Sequence, residues 1–157
     1  IGAQLSFFYQ HPTAYAARLL WQQGSHAFRE HLALSLLLAL TRRYVKGNGP
    51  FGMDELAIEL HLPVSLVEEQ VAHLVDAGLL GLMAQPEGVS LAKPPEFIPV
   101  TAVLAAVRRT GTGEAIVPPD AEDPVQAVLH RRDRAVNAAL AGQTLRSLVD
   151  APLTRDT

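Results

Sequence analysis

Residues 53–80 read MDELAIELHLPVSLVEEQVAHLVDAGLL, and the spacing of their apolar positions decides the fold. Met53, Leu56, Ala57 and Leu60 fall at i, i+3, i+4 and i+7, which puts them along one side of a short helix. Asp54 and Glu55 stand in its first turn, where carboxylates meet the positive end of the helix dipole. Beyond a turn at His61-Leu62-Pro63, the residues Val67, Val71, Leu74 and Val75 make a second stripe, and Ser65-Leu66-Val67-Glu68 matches a capping box that would open its helix. Gly78 reads as the left-handed stop of that helix. Two short helices joined by so tight a turn form a helix-turn-helix.

Working outward, Phe28, Leu32, Leu36 and Leu40 recur every four residues, and Leu34, Leu37 and Leu38 fill other faces. Residues 26–46 are therefore expected to form a helix buried nearly all round, with a basic end at Arg42, Arg43 and Lys46. On the other side, Leu79 to Met83 and Val89 to Leu91 flank a Gln-Pro-Glu-Gly turn, the pattern of a small hairpin. Val100, Val103, Leu104 and Val107 return to helical spacing and stop at Gly111. That order predicts a mostly helical winged helix-turn-helix with a two-stranded wing. The stretch TGTGEAIVPPDAEDP, 110–124, is too rich in Gly and Pro for a regular element. Asp123 can cap a last helix with Pro124 in its first turn; Val125, Val128, Leu129, Val136 and Leu140 stripe it, and Leu145, Leu148 and Val149 add a further turn. The expected division is a membrane-proximal segment at 1–25, the winged helix at 26–109, a linker at 110–123 and a C-terminal helix at 124–150.

Composition sets bounds on this reading. A chain of 157 residues, 48% hydrophobic and 18% charged, suits one globular domain with arms. Its longest apolar run, Leu32 to Leu40, is about half the ~20 residues that cross a bilayer. With no cysteine, disulfides, thiolate nucleophiles and thiolate-held metals are excluded. The chain opens at Ile1 without a basic-then-apolar leader, and is read as a piece of a longer protein without a signal peptide. The net charge of −3 hides an asymmetry: residues 47–92 hold no Lys or Arg but seven carboxylates, which leaves the flanks at +4.

The stretch from Leu34 through Arg109 resembles the cytoplasmic winged-helix domain of YihY/BrkB-type, "ribonuclease BN-like" bacterial inner-membrane proteins, and IGAQLSFFYQHP (1–12) resembles the exit of that family's last membrane helix. Phe7, Phe8, Tyr9, Tyr15 and Trp21 crowd the same end, as amphipathic aromatics do at a membrane boundary. The chain is also similar, over the same region and at ALAGQTLRSLV (139–149), to the redox-sensing winged-helix repressors of bacteria. It lacks their glycine-rich wing and the cysteines of their cluster.

DNA binding is the obvious work of such a fold, and Lys and Arg on phosphates supply most of its affinity. The would-be recognition helix instead offers Ser65, Glu68, Glu69, Gln70, His73 and Asp76, and the wing tip Glu87. An acidic face of that kind argues against DNA as partner. A second patch, Arg131, Arg132 and Arg134 beside His130, could meet anionic lipid, RNA or the acidic face of a second copy. GNGPFG (47–52) spells G-x-G-x-x-G but follows a helix rather than a strand, so it reads as a tight turn. His26 with His31, and His61 with His73, lack the i, i+4 spacing of helical metal ligands. No residue set for nuclease chemistry stands out, and no catalytic, metal or cofactor-binding residue is expected. The resulting expectation is a non-catalytic interaction domain at the cytoplasmic face of the inner membrane, presenting its acidic face to a protein or pairing as a homodimer. A DNA-binding regulator and a tRNA-processing nuclease are the alternatives.

Overall fold

A computed structural model describes residues 26–109 and 123–151. In chain order these form α1 (His26–Val45), α2 (Met53–Leu60), α3 (Val64–Asp76), β1 (Leu80–Ala84), β2 (Glu87–Leu91), a single 3-10 turn (Pro95–Phe97), α4 (Val100–Arg109), α5 (Pro124–Ala139) and α6 (Leu145–Asp150). The architecture is mostly helical with one antiparallel pair of strands, a winged helix-turn-helix. The segment expected near a membrane, with its aromatic residues, and nearly all of the expected linker lie outside the described residues. None of the described helices is long and apolar enough to cross a membrane.

The repeat of Leu32, Leu36 and Leu40 with Leu37 and Ala33 makes α1 the centre of the core, packed against α2, α4, α6 and β2. Its buried Thr41 is satisfied locally, the hydroxyl donating to the Leu37 carbonyl at 2.7 Å. The helix-turn-helix joint turns on His61, whose left-handed φ of 55° lets Leu62 N–H reach back to the Ala57 carbonyl at 2.9 Å. One expectation fails here. Pro63, extended at φ −61° and ψ 139°, launches α3 directly, so Ser65 already lies inside the first turn and no side chain caps the helix.

The wing pairs Leu80 with Leu91 through Ala84 with Glu87. A third strand is reduced to one residue: Phe51 N–H donates to Val89 O at 2.9 Å, and Val89 N–H to Phe51 O at 2.7 Å. The approach is so close that a Cβ on Gly88 would stand 2.6 Å from the Phe51 carbonyl oxygen, so only glycine fits there.

The C-terminal pieces behave differently from each other. α6 closes the core: Leu145 is fully buried, its N–H donates to the Ile98 carbonyl at 3.0 Å, and Val100 N–H donates to the Gln143 carbonyl at 3.0 Å. α5 buries no residue, and its Val125 and Val128 are each 60% exposed. It is tied to the body by Arg108 of α4, which lies 3.1 Å from Asp133 and 3.5 Å from Glu30 of α1. Arg132, hydrogen-bonded to the same carboxylate, holds the Asp133 carboxyl below the ordinary carboxylate value, and the fields of Arg108 and His130 add to this.

Leu145→Ala is expected to cost about 2–5 kcal/mol in urea unfolding, whereas Ile58→Ala, at an exposed site of α2, stays within about 0.5 kcal/mol. Because the Asp133 value is depressed, its ion pairs are present above the usual carboxylate range and are lost as pH falls through the lowered value. Asp133→Asn is accordingly expected to speed tryptic cleavage at Arg131 and Arg134 while leaving the unfolding midpoint almost unchanged. Equal cleavage rates would show that α5 is held by something else.

Candidate functional site

The exposed side of the helix-turn-helix is built from three pieces. α3 turns Leu66, Val67, Val71 and Leu74 inward, which leaves Ser65, Glu68 and Asp76 exposed, and Glu69 and His73 partly so. Gln70 is corrected: it is 2% exposed, because it follows Leu66 by four residues and shares the buried face of α3. Its Oε1 has no hydrogen-bond partner among the described residues. Polarity had suggested a surface position where helical phase dictates burial.

Glu87 stands exposed at the first position of β2. It shares a groove of about 520 Å³ with Asp54 and Glu55 at the start of α2 and with Leu82 and Met83 of the wing. Glu55 also accepts the Gly52 N–H at 3.4 Å, closing the helix start on itself. The acidic residues expected to share one face therefore divide between α3 and this groove, with the wing bringing Glu87 toward Asp54 rather than toward Glu68.

The start of α3 is electrostatically different. No acidic residue occupies its first turn and no side chain caps it; Leu66 and Val67 N–H donate to the Pro63 carbonyl at 3.1 and 3.2 Å, while the N–H groups of Val64 and Ser65 and the Ser65 hydroxyl make no hydrogen bond among the described residues. The exposed cations Arg42 and Lys46 at the end of α1, and Lys93 just past β2, have no ion pair among the described residues. Sequence reasoning passed over these three as flanking charge. The signal that could have found them was their position at the two boundaries of the cation-free stretch.

The second patch is also thinner than its sequence. Arg131, Arg132 and Arg134 are all exposed on α5, but Arg132 turns back onto Asp133 at 2.8 Å. Two cations are left projecting. Among the described residues no three His, Asp or Glu side chains gather as a metal site. The absence of cysteine from the whole sequence also removes the donors that a thiolate-held cluster would need.

No protein-family model matches the chain. No curated protein sequence matches it either. Solved structures of winged-helix regulators do. CymR of Staphylococcus aureus is 26% identical with a TM-score of 0.59, over 81% of this chain and 99% of that one. CymR, the global cysteine regulator of B. subtilis, is 20% identical with a TM-score of 0.58, over 79% and 94%. IscR of T. potens is 20% identical with a TM-score of 0.59, over 82% and 89%.

These likenesses correct two expectations. The chain follows regulators almost from end to end of their own length, including the C-terminal part. They overturn the reading as an interaction domain of a YihY/BrkB-type membrane protein, for which no comparison gives support, and with it the exclusion of DNA. The electrostatic argument failed for a physical reason. It summed charge over a stretch of sequence, whereas phosphate contact depends on which cations and N–H groups stand free at the surface. Of the two resemblances, the one to winged-helix repressors is supported.

Proposed function

We propose that this protein is a DNA-binding transcriptional regulator of the winged-helix type, acting by binding rather than by catalysis. The observation that carries the reading is the uncapped, carboxylate-free first turn of α3, set in a helix-turn-helix whose whole fold is that of the regulators. Backbone N–H groups at a helix start are natural phosphate ligands. Ser65 adds a hydroxyl, and Arg42, Lys46 and Lys93 supply charge. Glu68, one turn further along, reads a base edge, since a carboxylate accepts from the N4 amino group of cytosine. Two copies paired along the Val125, Val128 and Leu129 stripe of α5 would present two such helices to a two-fold site.

The test is selection from a random duplex pool, followed by binding isotherms in rising salt. Three phosphate-contacting cations per copy give a slope of log affinity against log salt of roughly −5 for a pair of copies. Lys46→Ala, which removes one contact from each copy, is expected to weaken all sequences alike and flatten that slope by about 2. Glu68→Gln should relax preference at one base position, worth about 1–3 kcal/mol. A pool that shows no enrichment at low salt would reject the reading.

A further inference from the structure

The end of α1, the 47–52 turn and the wing line a half-open cavity of about 300 Å³. That is at the lower end of volumes that take small organic ligands. Leu40, Phe51 and Met83 give it apolar walls, and Arg43, Tyr44, Asn48 and Ser90 bring polar groups to it. Among the described residues of the lining, Arg43 is the only charged one. Its guanidinium lies over the Phe51 ring, 4.1 Å from the centroid, with Nε donating to the Gly49 carbonyl at 2.8 Å and Nη2 placed 3.3 Å from Glu55. These contacts lock the plane of the group. Nη1, the Asn48 side-chain amide and the Ser90 hydroxyl make no hydrogen bond among the described residues.

Glu55 is 60% exposed and lines the neighbouring groove, not this cavity, while Arg42 and Lys46 add positive charge at the same helix end. A fixed cation, uncommitted donors and a hydrocarbon wall together complement one ligand chemistry. We infer that this cavity binds a small organic carboxylate with an apolar body, the acid group on Arg43 and Asn48 and the hydrocarbon against Leu40, Phe51 and Met83. Inorganic phosphate would gain nothing from those walls, and a neutral hydrocarbon would leave the donors unused. An occupant touches α1 and β2 at once, so it fixes the wing relative to the helical body. That coupling to DNA rests on the function proposed above; occupancy of the cavity does not.

The experiment is an NMR titration of the isotopically labelled full chain, without DNA, using phenylacetate and 4-methylpentanoate as probes and phenylacetamide as the neutral isostere of the first. Saturable shifts confined to residues 40–51 and 83–91 are expected, with the amide weaker by roughly tenfold or more. Ser90→Phe, which fills the cavity, should abolish the shifts while its spectrum remains that of a folded chain. Absence of saturation by roughly 10 mM acid, equal affinity for acid and amide, or unchanged binding by the filled variant would each overturn the site. A second arm measures affinity for a selected duplex with and without saturating phenylacetate. A changed affinity supports the coupling, and an unchanged one overturns the coupling alone. If no duplex can be selected at all, the regulator reading fails while the NMR result still decides the site.

Discussion

Two reciprocal hydrogen bonds between Phe51 and Val89 hold the wing to the body, and most of the surface chemistry depends on them. They place β2 beside the end of α1, bring Glu87 toward the start of α2, and set the Phe51 ring under the guanidinium of Arg43. The contact exists because Gly88 has no side chain to hold the strands apart. A single residue without a Cβ thus fixes where the cavity and the acidic groove lie relative to one another.

Arg43 shows how tightly the neighbourhood is coupled. It stacks on an aromatic ring, caps a carbonyl of the 47–52 turn and pairs with the carboxylate that closes α2. A lysine has neither the plane nor the fork to do all three. The turn that spells a phosphate-binding motif is therefore organised by a side chain, and its glycines serve the bend, Gly47 at φ 70°.

Much of the fold could be read from the sequence because the decisive signals were periodic. The stripes of Leu56 with Leu60 and of Val67 with Val71 and Leu74 specify two short helices, and the Gln85-Pro86 break specifies the hairpin. Periodicity also held the answer for Gln70, which sits in phase with Leu66 and Leu74; chemical type misled where phase was right. The site was less legible. Whether a cation is free or spent, as Arg132 is on Asp133, depends on side-chain geometry that no spacing encodes. The role of Leu145 was equally hidden, since a six-residue helix carries too little pattern to reveal that it meets α1 rather than extending α5.

That last packing has a consequence for how the molecule comes into being. Leu37 and Leu145 belong to one core although about a hundred residues separate them along the chain, so the loop joining them must close before the pairing repays its entropy. On the ribosome, α1 and the helix-turn-helix emerge well before the residue that seals them. Until Leu145 arrives, the apolar flank of α1 stays open to water and to other nascent chains.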